Sequence, residues 1–183
     1  MTLTRRALGV VALTIGVLVS TADAHASTVA KAKPRKFTLS SPAFRNGGTI
    51  PDGFTCAGPG ASPPLRWKHL PKRTKDLALT VEDTDAPGRT FVHWAAWGID
   101  PGAGSLPEET IPATVHQGST TTGQTKYFGP CPPPGSEAHH YIFTLYALSK
   151  RVSLPDGASI TELRAAISST TLRTAKLVGR FGR

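Results

Sequence analysis

Two aspartates and a histidine lie close together in the sequence and have the chemistry to form a charged binding site. Asp83 and Asp85 are two residues apart, so on an extended backbone their carboxylates point the same way. His93 lies on the next apolar run, where a neighbouring carboxylate would favour its imidazolium form and orient its ring. Such a pair could bind a zwitterionic phosphate ester, the imidazolium taking the anion and an aspartate the amine. The alternative is that both aspartates only accept hydrogen bonds from turn N–H groups.

A proline-rich loop and the segment after it hold a second group of polar side chains. Residues 129–135 contain four prolines, two glycines and a cysteine, so most backbone φ angles in this loop are restricted. Residues 139–146 are rich in aromatic and β-branched types, which favours a strand, predicted here over residues 139–148. On that strand His139 and Tyr141 share one face, whereas His140 points the other way as a surface histidine. A stiff loop that leads into a strand can hold side chains still around a small ligand.

The elements that must position these residues follow from hydrophobic periodicity. Alternating Leu77, Leu79 and Val81 predict a half-buried strand over residues 76–82. Residues 90–99 are long enough for a helix, but valine, phenylalanine and two tryptophans favour a buried strand. Further strands are predicted at residues 37–40, 65–67 and 175–181. A capping box at residues 159–162 predicts a helix that ends near residue 172, with a core face of Ile160, Leu163, Ala166 and Ile167.

The N-terminus has the order of a secretory signal peptide. Arg5 and Arg6 precede an apolar run over residues 7–19 and then small residues, and the small-x-small rule permits cleavage after Ala24 or Ala26. The alternative is a retained N-terminal anchor, and no cysteine for lipid attachment lies near the cleavage site. The predicted organisation is a signal peptide at residues 1–26, a disordered lead-in at 27–36 and one domain at 37–183. The protein is therefore expected to be exported, periplasmic or secreted.

The net charge of the chain and its two cysteines limit the classes of function that fit this sequence. The formal net charge of the 183-residue chain is +9, which attracts anionic surfaces without specificity. No aromatic–basic stacking motif or known binding module supports a nucleic-acid-binding function. Cys56 and Cys131 are the two cysteines, and in an exported chain they are predicted to form a disulfide that tethers the proline-rich loop. The alternative is two separate buried thiols.

Several motifs in order resemble the phosphatidylethanolamine-binding protein family, also called the Raf kinase inhibitor protein family, and its bacterial branch above all. They are D-T-D-A-P at residues 83–87, H-W at 93–94, Y-F-G-P-C-P-P-P-G at 127–135 and H-H-Y at 139–141. The upstream motifs S-P-A-F, T-C-A-G and S-P-P-L-R-W also fit, so the resemblance covers residues 37–183. Three residues depart from the family pattern, namely Thr84, Lys126 and His140, the last of which replaces the usual arginine.

The resemblance implies a mainly β fold of two antiparallel sheets, with one or two peripheral helices and a ligand pocket at one end. Trp94 and Tyr127 are expected to form walls of this pocket. The resemblance also implies ligand-binding roles for Asp83, His93, Gly129, Pro130, His139 and Tyr141.

The main functional hypothesis is a binding protein, not an enzyme, for a phosphate ester or zwitterionic headgroup, without a cofactor, a metal or a stable membrane span. In the wider family the resemblance implies modulation of kinases or proteases, so a protein partner of this kind is expected as well. One alternative is a hydrolase or metal-dependent enzyme that uses Asp83, His93 and His139, with a nucleophile from residues 119–122. Another is an exported inhibitor that contacts its partner through residues 100–126, a polar segment expected to lack secondary structure.

Overall fold

A computed structural model describes residues 35–183 together with Thr2. The predicted signal peptide lies outside the described residues, apart from Thr2, and so does most of the predicted lead-in. Nine strands and one α-helix follow each other along the described chain. They are β1 (Thr38–Ser40), β2 (Gly48–Thr49), β3 (Leu65–Lys68), β4 (Asp76–Asp83), β5 (Phe91–Ile99), β6 (Ser105–Leu106), β7 (His116–Gln117), β8 (His139–Leu148), α1 (Ile160–Ile167) and β9 (Thr171–Phe181).

The strands form two sheets, as expected. The larger sheet has the order β2-β9-β8-β4-β5-β7, and the smaller has the order β1-β3-β6. All pairs are antiparallel except that of β2 with β9, which is parallel. Because β4 lies between β5 and β8, the C-terminal end of β4 meets the N-terminal ends of both neighbours. The side chains singled out in the sequence are on these three strand ends.

The prediction that β4 is half-buried is wrong, because both of its faces are covered. On one face Leu79 and Val81 belong to the core between the two sheets, which also contains Trp67 and Phe143. On the other face Ala78 belongs to a second core cluster. That cluster contains Ala95, Trp97 and Leu148 together with the helix residues Leu163 and Ile167. The short helix thus covers part of the outer face of the large sheet.

The helix begins at the predicted capping box but ends earlier than predicted. Ser159 and Glu162 hydrogen bond reciprocally, and the helix stops at Ile167 because residues from Thr171 onward pair with β8 as strand β9. Strand β9 is therefore four residues longer at its start than the periodicity indicated. Ala166 is exposed, contrary to its predicted place in the core face, since only Leu163 and Ile167 of this short helix are buried.

The sequence had suggested that residues 100–126 lack secondary structure, and this prediction is wrong. They contain a 3-10 turn at Pro101–Ala103 and the two short strands β6 and β7. Strand β7 extends the large sheet beside β5, and Gln117 on β7 accepts a hydrogen bond from the Trp94 indole at 2.9 Å. The segment thus supplies an edge strand to each of the two sheets. Within residues 35–183, none of the helices has the length and apolar character needed to cross a membrane.

Candidate ligand-binding site

The central feature of the site is a buried hydrogen bond between the side chains of an aspartate and a histidine on the neighbouring strands β4 and β8. Asp83 Oδ2 accepts a hydrogen bond from His139 Nδ1 at 2.7 Å, and the two side chains are only 5% and 9% exposed. Asp83 Oδ1 also accepts a hydrogen bond from the backbone N–H of Asp85 at 2.9 Å. The Asp83 carboxylate is therefore held on both oxygens, and it fixes the orientation of the His139 ring.

The predicted partner of Asp83 was His93, and this prediction is wrong. The register of β4 with β5 pairs Val81 with Trp94 but Glu82 with Val92, so His93 is the extra residue of a β-bulge. A bulge of this kind re-aims a side chain. His93 Nδ1 lies 2.7 Å from the carbonyl oxygen of Phe128, the residue before the proline-rich loop.

His93 is an uncharged hydrogen-bond acceptor toward the site. A carbonyl oxygen can only accept, so the proton of the neutral ring lies on Nδ1 and leaves Nε2 as an acceptor. Burial lowers the pKa of His93, although the hydrogen bond to Phe128 and the charge of Asp83 oppose that shift. The rings of Phe91 and Phe128 lie 4.6 and 5.8 Å from the His93 ring, between centroids, and exclude water from it.

His93 and His139 line the same cavity, which has a volume of about 320 Å³. Asp83 also lines it, but most of its wall is apolar. These apolar lining residues were not predicted from the sequence. Phe91 and Phe128 each lie close to a predicted site residue, but an aromatic residue at such a position is as typical of the core as of a cavity wall. The remaining lining residues are Ala86, Pro87, Phe91, Thr122, Phe128, Cys131, Pro132 and Pro133.

Gly129 and Pro130 support the site but do not line the cavity. A Cβ on Gly129 would lie 3.1 Å from backbone atoms of Thr55, so only glycine allows the loop to approach this closely. The Pro130 carbonyl oxygen accepts a hydrogen bond from the N–H of Cys56 at 3.0 Å. The predicted disulfide between Cys56 and Cys131 is present, with the two Cα atoms 5.3 Å apart. These contacts fix the loop against the N-terminal half of the domain.

Tyr141 lies beneath the two histidines and does not line the cavity either. It is fully buried, and its ring is edge-on to His93 with centroids 5.1 Å apart. Its hydroxyl has no hydrogen-bond partner among the described residues. Burial raises the pKa of Tyr141, and the charges of Asp83 and Asp85 raise it further, so the phenol is neutral. Tyr141 therefore forms the base on which both imidazole rings rest.

Asp85 forms a second, exposed pair with His140. Asp85 Oδ2 accepts hydrogen bonds from both Nδ1 and the backbone N–H of His140, each at 2.7 Å. These hydrogen bonds lower the pKa of Asp85. As predicted, His140 faces away from His139 toward the surface. Asp85 thus links the turn after β4 to the start of β8. Neither Asp85 nor His140 lines the cavity.

Trp94 and Tyr127 were expected as walls of the site, but they lie in a different place. Their rings meet edge-on at 5.6 Å between centroids, and the Tyr127 hydroxyl donates to the carbonyl oxygen of Phe54 at 3.0 Å. Together they line a separate cavity of about 260 Å³. Beyond the bulge at His93, Trp94 pairs with Val81 and belongs with Tyr127 to the core between the two sheets, further along β5 from the strand ends that carry the site.

The other histidines among residues 35–183 are at the surface. His69 is exposed, and His116 pairs with Asp156 at 3.1 Å with both side chains largely exposed. In the part of the chain that the structure describes, no group of three or more His, Cys, Asp or Glu side chains is arranged to hold a metal ion.

A comparison with protein families matches residues 40–182 to the family model described as phosphatidylethanolamine-binding protein. A similar protein is LppC of Mycobacterium tuberculosis, which is named as a candidate lipoprotein. It is 44% identical over 144 residues, which are 79% of this chain and 71% of that protein.

Two solved structures are similar to this fold. CT736 of Chlamydia trachomatis, described as a candidate phosphatidylethanolamine-binding protein homologue, aligns with a TM-score of 0.76 at 34% identity, over 80% of this chain and 97% of that one. YbcL of E. coli, described as a new member of the mammalian family, aligns with a TM-score of 0.77 at 26% identity, over 81% of this chain and 99% of that one.

Proposed function

Because this chain belongs to the phosphatidylethanolamine-binding protein family, we propose that its cavity binds a small phosphate ester or a zwitterionic headgroup. The single observation that carries the proposal is the pair of imidazoles at the cavity. Each is oriented through Nδ1, His139 by the Asp83 carboxylate and His93 by the Phe128 carbonyl. In each ring Nε2 is the nitrogen left to contact a ligand.

The two imidazoles offer complementary chemistry to a phosphate. With Nδ1 held by Asp83, His139 contacts a phosphate oxygen through Nε2 and donates a hydrogen bond to it when that nitrogen carries a proton. His93, kept neutral by burial, accepts at Nε2 from the hydroxyl of a phosphate monoanion or from an ammonium group. One donor and one acceptor side by side suit a group that carries both a negative oxygen and a proton to share.

The apolar part of the cavity favours an ester over a free ion. Phe91, Phe128 and the prolines Pro87 and Pro132 contribute hydrocarbon surface around the polar end. The cavity has a volume of about 320 Å³, the size of typical small-molecule sites. A ligand with a phosphate at the histidines and a short carbon chain against these rings would use both parts.

We propose binding without turnover. Thr122 supplies a hydroxyl to the cavity wall, but this hydroxyl is hydrogen bonded to Thr120 at 2.9 Å. The Nδ1 atoms of both histidines are engaged with acceptors, and this orients Nε2 of each ring toward a ligand. Turnover of chromogenic phosphate or carboxylate esters that is lost in His139→Ala would instead support the hydrolase alternative.

Calorimetric titration with O-phosphoethanolamine tests the proposal. His139→Ala and His93→Ala should each weaken binding by about tenfold or more, since hydrogen bonds to charged groups contribute about 1.5–3 kcal/mol. His140→Ala is the matched control, because its ring is exposed and outside the cavity, and it should bind like the wild type. Unchanged affinity in both cavity variants would refute the assignment.

We further propose that the protein is exported. The order of the N-terminal residues, the lipoprotein name of the similar mycobacterial protein and the disulfide all support this location. A lipid attached through cysteine is not part of the proposal, because both cysteines of this chain are in the disulfide. A kinase or protease as protein partner stays a prediction.

A further inference from the structure

A second cavity, of about 390 Å³, lies on the other side of the start of β8 from the histidine cavity. Ala138 lines this second cavity, whereas the next residue, His139, lines the first. The two cavities share no lining residue. Arg45 and Arg180 provide the charged side chains of the second cavity, and the rings of Phe44 and Phe181 provide apolar wall.

The charge in the second cavity is entirely positive. No aspartate or glutamate lines it. Within residues 35–183, neither Arg45 nor Arg180 forms a salt bridge with a carboxylate. Arg45 and Arg180 are exposed cations that line one cavity with no carboxylate among its lining residues, and an anion bound between them would reduce their mutual repulsion. The guanidinium group also matches the oxygens of phosphate and carboxylate groups in geometry.

The backbone that carries both arginines is held in place. The turn after Arg45 is fixed to strand β9, since Asn46 Oδ1 accepts from the Val178 N–H at 2.9 Å and the Gly47 N–H donates to the Val178 carbonyl at 2.7 Å. The N–H of Ile50 donates to the carbonyl of Arg180 at 2.8 Å. The two arginines therefore project from parts of the fold that are hydrogen bonded directly to each other, which lowers the entropic cost of a shared ligand.

Glycine at position 48 keeps the side chain of Arg45 in place. A Cβ on Gly48 would lie 2.9 Å from Cγ of Arg45 and 3.0 Å from its carbonyl oxygen, so any larger residue would displace that side chain or its backbone. The sequence R-N-G-G-T at residues 45–49 thus brings a cation and bare backbone to the same cavity.

We propose that the cavity between Arg45 and Arg180 is a second anion site, which binds an oxyanion such as a phosphate group through the two guanidinium groups. The site is independent of the histidine cavity, because it uses different residues on the opposite side of β8. The phosphate group can belong to a soluble ligand or to a lipid headgroup, and both have the same oxyanion chemistry.

Titration of the ¹⁵N-labelled protein at low ionic strength, followed by amide NMR, tests the proposal. The probes are inorganic phosphate, phosphoserine and vesicles that contain phosphatidylglycerol. We expect the amides of Gly47, Gly48 and Gly182 to shift with a saturable dependence on at least one probe. Shifts with the soluble probes identify a free phosphate group as the ligand, and shifts with vesicles alone identify a lipid headgroup.

Variants separate this site from the proposed function and from diffuse attraction to a basic protein. Arg45→Ala and Arg180→Ala should each weaken the response of these glycine amides about tenfold or more, since each removes charged hydrogen bonds. His139→Ala should leave that response unchanged even if binding in the histidine cavity is lost. Arg173→Ala is the matched control, an exposed arginine on the same strand that does not line the cavity.

Three results would overturn the proposal. They are no saturable shift of these amides with any probe, an unchanged response in both arginine variants, and an equal loss in Arg173→Ala. The amide spectrum of each variant shows whether its fold is intact, so a failure to bind is distinguished from a failure to fold. Loss of the response in Gly48→Ala, through displacement of Arg45, would add support.

Discussion

Two aspartate–histidine pairs, one buried and one exposed, lie side by side in this protein. Asp83 pairs with His139 and Asp85 pairs with His140, and in both pairs Nδ1 lies 2.7 Å from a carboxylate oxygen. The side chains of the first pair are 9% and 5% exposed for histidine and aspartate, and those of the second are 47% and 42% exposed. Equal geometry therefore occurs in two very different surroundings.

The difference between the pairs shows that distance alone does not make a binding site. The exposed pair is solvated and contributes little, as isolated surface ion pairs usually do. The buried pair excludes water, faces a cavity and is backed by the ring of Tyr141. Strand alternation causes the difference, because consecutive residues of β8 point to opposite faces of the sheet. The motif D-T-D at residues 83–85 and the motif H-H at residues 139–140 therefore form one buried pair and one exposed pair.

The largest expected effect comes from removal of the cross-link beside the buried pair. Replacement of Cys56 and Cys131 by serine opens a tether between residues 75 apart in sequence, and the chain-entropy model predicts a loss of about 4 kcal/mol in the free energy of unfolding. Cys131 lines the histidine cavity, so ligand binding there should weaken as well.

Urea denaturation of the double variant measures this loss, with the reduced wild type as control. Neither Asp85 nor His140 belongs to the proline-rich loop that the disulfide tethers, so the contact between them should persist. A double variant as stable as the oxidised wild type would show that the disulfide does not restrain the unfolded chain.

The next largest effect is expected from truncation of the buried carboxylate. Asp83→Ala leaves the Nδ1–H of His139 and the N–H of Asp85 without their acceptor. A buried donor left without its acceptor costs about 1–3 kcal/mol, and two donors lose their acceptor here. Urea denaturation at neutral pH measures the change, and a loss no larger than that of Asp85→Ala would mean that burial does not distinguish the two pairs.

The smallest effect is expected from Asp85→Ala, below about 1 kcal/mol because the pair is exposed. Its pH dependence is the sharper measurement. The pKa of Asp85 is lowered in the folded protein, chiefly by the hydrogen bond from His140, so the carboxylate stabilises the fold above its ordinary pKa of 3.8. The advantage of wild type over Asp85→Ala should therefore begin to shrink as the pH falls below this value and should be lost as the pH falls through the lowered pKa of the folded protein. An advantage that did not shrink below pH 3.8 would contradict an electrostatic origin.

The fold was largely predictable because its main strands carry local signals. Strand β8 was expected at the residues it occupies, and the capping box placed the start of the helix. The starts and ends that were wrong depend on remote residues. Strand β9 starts at Thr171 because β8 offers it partners, and α1 is shorter for the same reason. Residues 100–126 gained two strands because they pair with β3 and β5 at the edges of the sheets.

The sequence predicted some, but not all, of the residues that form the candidate site. Asp83, His93 and His139 do meet at one cavity, while Gly129, Pro130 and Tyr141 hold that arrangement from behind. The apolar wall was missed, because nothing in a single sequence distinguishes a phenylalanine of the core from one that faces a cavity. The second cavity was missed as well, since it joins Arg45 and Arg180 from segments far apart in the chain.

By itself, the sequence determined which chemical groups are present and which local conformations they favour. Hydrophobic alternation, the capping box and the restricted φ angles of proline act between near neighbours, so they are already encoded in short segments. Only the tertiary structure decided that Asp83 binds His139 and that His93 turns to the carbonyl of Phe128. Those choices depend on strand register and on a one-residue bulge in β5, and register is set by pairing between segments remote in sequence.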